Sequence, residues 1–301
     1  MKVLITGANG LLGQKLVQLL SSKTTVIATS QGPSRFALPS GVTYHSMDIT
    51  NNSQVSSIIV QLQPQAVIHA AAMTQVDKCE QDRKSCLNVN VNGTRHVAEA
   101  AKSVSAYLIH MSTDFIFDGT AGPYDEEATP APVNYYGECK LAAEMIVEDI
   151  APESAILRTI LVYGWLPNMS RSNIILWVKE SLEQNKTIQV VDDQWRTPTL
   201  VEDLAQGCWL ALERQAAGIY HIAGSDFITP FQMARETAGY FDLDKELIKR
   251  TDSTKFTQPA KRPLKTGFVI AKAESELGYK PHTFSEGIAI LAGQMNANKM
   301  A

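Results

Sequence analysis

Residues 1–20, MKVLITGANGLLGQKLVQLL, decide the fold of this chain. Val3, Leu4 and Ile5 are consecutive, bulky and partly β-branched, the pattern of a short buried strand. From Leu11 onward, Leu12, Leu16, Leu19 and Leu20 recur at helical spacing. Between strand and helix stand Gly7, Gly10 and Gly13. A strand that turns into a helix through glycine leaves several backbone N–H groups pointing at one spot, where the helix N-terminus adds partial positive charge. Such a spot suits a phosphate. Gly7 permits the tight turn, Gly10 lets a pyrophosphate approach the backbone, and Gly13 lets the helix sit close to the sheet. Asn9, Leu11 and Leu12 complete the candidate phosphate loop. The G-x-x-G-x-x-G spacing alone fits a plain turn equally well; the strand before it and the helix after it favour the nucleotide reading.

The rest of the chain keeps the rhythm. TTVIATS (24–30), GVTYHSMDIT (41–50), AVIHAAA (66–72), AYLIHMSTD (106–114) and SAILRTILVYG (154–164) read as strands. SQVSSIIVQLQP (53–64), VNVNGTRHVAEAAKSV (89–104) and YYGECKLAAEMIVEDI (135–150) read as the helices between them. This alternation predicts right-handed crossovers, hence an α/β doubly wound parallel sheet of the Rossmann type with ligands at the carboxyl ends of its strands. Beyond Gly164 the rhythm loosens. SNIILWVKESLEQNK (172–186) predicts a helix and TIQVVDDQWRTPTLVEDLAQGCWLALERQ (187–215) a strand and a helix. GIYHIAG (218–224) predicts a strand, and TPFQMARETAGYF (229–241) a helix capped by Thr229 with Pro230 in its first turn. The expected organisation is a dinucleotide-binding domain over 1–164, to which 200–223 returns, and a smaller α+β substrate lobe over 165–199 and 224–301, with a frayed tail after Gly293.

Composition narrows the function classes. A chain of 301 residues with 45% hydrophobic and 19% charged residues can bury a substantial core. The formal charge of −4, with no Lys/Arg cluster, argues against a nucleic-acid partner. Apolar runs are too short for a membrane span, and the first strand begins too early for a secretory leader, so a cytoplasmic home is expected. Cys79, Cys86, Cys139 and Cys208 lack C-x-x-C pairing, and no H-E-x-x-H or acidic cluster calls for a metal. His69, His110 and His221, in or beside apolar strands, read as packing residues, and Trp177 and Trp209 as core or interface residues.

Tyr136 and Lys140 stand four apart at the start of a helix and so share one face. A free phenol has a pKa of about 10, and a neighbouring ammonium should lower it. Together they form a candidate proton donor for a developing alkoxide, with Thr113, at a strand end, able to hydrogen-bond the same oxygen. After the second strand, ATSQGPSR (28–35) carries Ser30 and Arg35 and no carboxylate. An acidic side chain there would accept from a ribose 2′-hydroxyl and repel a 2′-phosphate, so NADPH is expected over NADH.

TGANGLLGQ (6–14), AAAMTQVDKCE (70–80), VNVNGT (89–94), STDFIFDG (112–119), PAPVNYYGECKLAAE (130–144), DQWRTPT (193–199) and RPLKTG (262–267) together resemble the dTDP-4-dehydrorhamnose reductase family of extended short-chain dehydrogenases/reductases. The resemblance implies reduction of the 4-keto group of a dTDP-linked deoxyhexulose by NADPH or NADH. It implies that Tyr136 protonates the C4 oxygen, that Lys140 tunes Tyr136 and holds the nicotinamide ribose, and that Thr113, Asp114 and Phe115 contact the sugar. Asp48 and Ile49 would flank the adenine, Ala70, Ala71, Ala72 and Thr74 would line the cofactor bed, and Asn90 would sit behind the lysine. Asn90 is equally compatible with a bond to its own local backbone. Leu161, Arg196 and Arg262 would lie on the substrate side.

Three departures fall on that side. Leu161 replaces the family's tryptophan in RTILVYG (158–164), Lys265 replaces an asparagine in RPLKTGFVIA (262–271), and Arg196 stands where glycine is common. They bear on the identity of the sugar more than on the redox centre. The resemblance leaves a homodimer open. A rival is an NADP-binding regulatory subunit, since the β subunit of methionine adenosyltransferase resembles this family and shares the arginine. An epimerase is another. A dehydratase is disfavoured because Phe115, not a second carboxylate, follows Asp114.

Overall fold

In the computed structural model, which describes residues 1–167, 169 and 172–300, the opening strand β1 (Lys2–Thr6) runs through the middle of a sheet. Val3 and Ile5 pack into the core on one face and Leu4 into the core on the other. That is why these residues form an unbroken apolar run. The glycine turn leads into α1 (Leu11–Leu20). Next come β2 (Thr25–Ser30), β3 (Thr43–Ser46), α2 (Asn52–Leu62) and β4 (Ala66–His69). Two short helices, α3 (Val76–Gln81) and α4 (Arg83–Leu87), precede a π-helical turn at Asn88–Asn92 and α5 (Gly93–Ser103). Then follow β5 (Tyr107–Thr113), α6 (Tyr135–Ile150) and β6 (Ala155–Thr159).

SAILRTILVYG is not one strand. The chain breaks at Leu161, whose φ is +41°, and resumes as β7 (Val162–Tyr163). This turn takes β7 out of the sheet, and an apolar run carries no sign of it because every residue through the break is one a strand would accept. Beyond it lie α7 (Ile174–Glu183), β8 (Ile188–Val191), β9 (Thr199–Leu200) and α8 (Val201–Arg214). The remainder is β10 (Gly218–His221), α9 (Pro230–Tyr240), β11 (Ile248–Thr251) and α10 (Phe284–Met300).

Seven strands form one parallel sheet in the order β10-β6-β5-β4-β1-β2-β3. Strand order reverses between β1 and β4, so a crevice opens at their carboxyl ends. The sheet, with helices on both faces, is the doubly wound Rossmann-type fold. Smaller parallel pairs, β8 with β11 and β7 with β9, lie outside it. Val178, Leu182, Ile188, Val190, Phe231 and Ala234 make a separate core around β8, α7 and α9. Thr229 caps α9 as expected, in a reciprocal arrangement with Gln232.

One further expectation is corrected. The segment after Gly293 is helical through Met300, and Gln294 accepts from Lys15 and donates to Glu202, which ties this helix to α1 and α8. The strand β11 was not anticipated, because its Lys249 and Arg250 are exposed and hide the strand pattern. No helix among the described residues is long and apolar enough to cross a membrane.

Candidate functional site

The glycine turn meets the end of β4. Gly7 has φ +70°, and a Cβ on it would lie 2.8 Å from the Ala71 backbone; one on Gly13 would lie 2.2 Å from the Gly7 carbonyl oxygen. Both positions therefore need glycine for packing and, at Gly7, for conformation. A Cβ on Gly10 would meet only the Gly7 oxygen, at 3.2 Å, so its other sides face open space. The Ala71 N–H donates to Thr6 Oγ1 (3.1 Å), fastening loop 70–74 to the same spot. Asn9 accepts from the Arg35 N–H (2.9 Å) and donates to the Pro33 carbonyl (3.0 Å), which binds the glycine loop to the segment after β2. Ser30 ends β2, and Arg35 is exposed beside it. Leu11 and Leu12 open α1.

Asp48 takes the Thr50 N–H (2.9 Å) and hydroxyl (2.8 Å) on one oxygen and the Gln31 amide (3.0 Å) on the other. Ile49 is buried against Gly93. Ala70, Ala71, Ala72 and Thr74 lie on the loop after β4. The Asn90 side chain does not bond its own local backbone. It clamps both polar groups of the Met73 backbone, accepting at 2.8 Å and donating at 3.0 Å, and so fixes loop 70–74. Sequence spacing could not reveal a partner seventeen residues away.

At the end of β5, Thr113 donates to Asp114 Oδ1 (3.2 Å) and accepts from the Phe115 N–H (3.3 Å). Helix α6 begins at Tyr135 because the Asn134 side chain accepts from the Gly137 N–H (2.9 Å), and its amide also reaches the Lys261 carbonyl (2.9 Å). This start places Tyr136 and Lys140, both buried, on the face toward β5. The Phe115 ring meets Tyr136 edge-on at 5.8 Å. Burial raises the Tyr136 pKa, opposed by the neighbouring Thr113 side chain. The lowering expected from Lys140 is not found: burial dominates this phenol, and the group that opposes it is Thr113, not Lys140. Lys140 Nζ instead donates to the Met111 carbonyl (2.6 Å) and lies 3.2 Å from His110 Nε2. Burial depresses its pKa to about 8, opposed chiefly by the Glu144 carboxylate.

The substrate-side expectations fare differently. Arg196 is turned inward. Its guanidinium donates to the carbonyls of Trp195 (2.8 Å), Leu264 (3.0 Å) and Pro263 (2.7 Å), and its Nε lies 3.9 Å from Asp114. Thr266 also donates to Asp114, yet burial raises this carboxyl above its usual value. Arg262 is held in a two-pronged pair with Asp77 (2.8 Å on each oxygen). Both guanidinium groups are thus hydrogen-bonded to protein partners. Leu161 is 41% exposed and borders a cleft of about 540 Å³ shared with Trp177, Val191, Gln194, Phe256 and Gln258. Trp177, expected in a core or interface, is 40% exposed on this cleft. Helical periodicity cannot tell an exposed aromatic on a cleft from one in a core.

No group of His, Cys, Asp and Glu among the described residues is arranged to hold a metal. His69 and His221 are buried and hydrogen-bonded, and His221 stacks on Phe268 at 3.9 Å. Cys79, Cys86 and Cys139 are unpaired and pack together against Tyr136.

A family model described as the RmlD substrate binding domain matches residues 1–296. The chain is 31% identical over 261 residues to a dTDP-4-keto-6-deoxy-D-glucose reductase of Streptomyces niveus, covering 86% of this chain and 85% of that one. It is 34% identical over 268 residues to a dTDP-4-dehydrorhamnose reductase of Streptomyces griseus, covering 86% and 83%. It is 32% identical over 253 residues to methionine adenosyltransferase 2 subunit beta of Xenopus laevis, covering 82% and 74%. Among solved structures, a dTDP-4-dehydrorhamnose reductase of Clostridium acetobutylicum superposes with a TM-score of 0.87 at 29% identity, covering 98% and 100%. One from Bacillus anthracis in complex with NADP gives 0.84 at 29%, covering 97% and 99%.

Proposed function

This chain belongs to the RmlD substrate-binding domain family, and from that premise we propose that it is an NADPH-dependent reductase acting on the 4-keto group of a dTDP-linked 6-deoxy sugar, dTDP-4-dehydro-L-rhamnose being reduced to dTDP-L-rhamnose. The observation that carries the reading is the burial of Thr113, Tyr136 and Lys140 together at the carboxyl end of β5, with Phe115 where a dehydratase would carry a second acid.

The glycine cradle fits the pyrophosphate of a dinucleotide. Gly7 and Gly13 have no room for a side chain on the protein side, and Gly10 has an open side. Ser30 and the exposed Arg35 suit a 2′-phosphate, with no carboxylate in 28–35 to repel it. When bound, NADPH supplies the hydride to C4. Tyr136 supplies the proton to the C4 oxygen, so the carbonyl gains one hydride and one proton and becomes a hydroxyl. Burial keeps the phenol protonated at neutral pH, the form that a proton donor requires. The Thr113 hydroxyl lies where it can hydrogen-bond the same oxygen and afterwards the phenolate. Lys140 provides a compact positive charge that stabilises that phenolate. Without substrate Asp114 accepts the Thr113 proton, and with the sugar bound the hydroxyl turns that proton to the C4 oxygen. The cleft at Trp177 and Phe256 offers aromatic walls and amide groups suited to the nucleoside end of the substrate.

Incubation with NADPH and dTDP-4-dehydro-L-rhamnose, followed by loss of nicotinamide absorbance, tests the reading. Wild type should turn over, and Tyr136→Phe should lose about 10²–10⁴-fold in kcat while still binding NADPH. A folded wild type that binds NADPH without turnover would remove this substrate. A second reading would then lead: a cofactor-binding regulatory subunit, favoured by the buried Arg196 where the reductases commonly have glycine and by the methionine adenosyltransferase relative. A change in methionine adenosyltransferase kinetics on mixing with this chain would support it.

A further inference from the structure

Lys140 is the most unusual buried group in the site. It is 3% exposed, and among the described residues no carboxylate pairs with its ammonium; Glu144, one turn along α6, is itself held by Arg158 at 2.8 Å. Its bonds go to two uncharged acceptors of the same strand, the Met111 carbonyl at 2.6 Å and His110 Nε2 at 3.2 Å. His110 is 1% exposed, and its other nitrogen, Nδ1, has no partner among the described residues. A buried imidazole nitrogen without a partner is costly, so its retention next to a buried lysine calls for a role.

We propose that His110 is a positioning residue that anchors Lys140 in both of its protonation states by exchanging tautomers. This rests on the reading of Lys140 as the partner of Tyr136. With Lys140 charged, Nε2 accepts an ammonium N–H and the imidazole proton sits on Nδ1. With Lys140 neutral, the imidazole proton moves to Nε2 and donates to the amine lone pair. A carbonyl such as Met111 O can serve only as an acceptor, whereas a neutral imidazole serves as either. The lysine can therefore lose and regain a proton as the phenol cycles, without leaving its place.

The surroundings keep His110 in the neutral form that this requires. Burial and the charge of Lys140 hold it far below its usual value, with a smaller contribution from His69. The His69 ring lies 5.4 Å away on β4, with both nitrogens engaged, Nδ1 with Thr6 at 2.8 Å and Nε2 with Thr94 at 3.2 Å. The other titratable groups facing Lys140 are Glu144 and Cys139 on its own helix and Cys86 on α4, all of which favour its charged form. None of these can replace a bond at Nε2, since Glu144 is occupied by Arg158 and the thiols point into the cluster with Cys79.

The test needs no substrate. Nitrogen-15 histidine spectra of the wild type should show His110 with its proton on Nδ1 well below the Lys140 midpoint and on Nε2 well above it. A single tautomer throughout would overturn the proposal. In parallel, the Lys140 Cε carbon shift, assigned with Lys140→Arg, reports the lysine's own titration. His110→Leu should move that midpoint down by about one pH unit, the loss of one acceptor to a charged group. His110→Gln, whose amide lies near Nε2 and can accept or donate, should bring it back toward the wild-type value. Equal displacement in both variants, or in neither, would also overturn it. If the enzyme turns over, the alkaline limb of its pH–rate profile should follow the same order. Absence of turnover in all forms with these spectra intact would instead remove the reductase reading and leave the anchor standing.

Discussion

At the scale of single residues, the site places chemically demanding groups in a dry environment at a cost in stability. Lys140 is the clearest case. Burial lowers its pKa from 10.5 to about 8, so the folded protein binds a proton there less tightly than the unfolded chain does. Between those values the unfolded state holds more protons, and this group makes stability rise with pH from about 8 toward about 10.5. Below pH 8 its full penalty applies, on the order of 3 kcal/mol. Lys140→Met should thus raise the urea midpoint at pH 7 while abolishing turnover, and the gain should shrink as pH is raised through that window. A midpoint that falls, or a pH-independent difference, would contradict the assigned penalty. The identities of Tyr136, Lys140 and Thr113 are legible in a linear sequence because their spacing and neighbours are local. Their pKa directions are not, since the dominant cause is burial by residues far away in the chain.

At the scale of elements, the strand–turn–helix of residues 2–20 separates its glycines by task. Gly13→Ala puts a methyl 2.2 Å from a backbone oxygen and should destabilise the fold by about 1–3 kcal/mol or more, read by denaturant unfolding. Gly10→Ala meets only one neighbour at 3.2 Å at the N-cap of α1, and its stability should stay within about 1 kcal/mol of wild type. Its methyl would nevertheless stand in the open cradle, so NADPH affinity, measured by fluorescence titration, should weaken about tenfold or more, roughly 1.4 kcal/mol. The reverse pattern would move the phosphate away from Gly10. Helix α6 matched its expected bounds because Asn134 is a strong cap followed by sixteen residues without proline or interior break. The break at Leu161 is not legible in the sequence because a positive φ at leucine is imposed by the exit of β7 toward β9, not by the residue's own preference.

At the scale of the whole molecule, Arg196 joins parts of the chain that sequence keeps far apart. It links Asp114, at the end of β5, to the carbonyls of Pro263 and Leu264. Arg196→Gly, which restores the residue common in the resembling reductases, would leave the Asp114 carboxylate buried without its cation. The expected cost is about 3–5 kcal/mol by chemical denaturation, with the Asp114 pKa driven still higher. An unchanged midpoint would mean that the pair contributes nothing net. The doubly wound sheet was readable from residues 1–164 because alternating apolar periods of two kinds, punctuated by glycine, admit few other topologies. The sequence by itself therefore determined the central sheet and brought forward the glycine turn and the Tyr136–Lys140 pair as candidates, because these read from patterns spanning a few residues. Only the tertiary structure decided that Asn90 clamps Met73, that Arg196 faces inward, that Arg262 pairs with Asp77, and that His110 meets Lys140. Those partners are brought together by strand order and helix packing, and a polar side chain takes whichever partner the fold leaves within hydrogen-bonding reach.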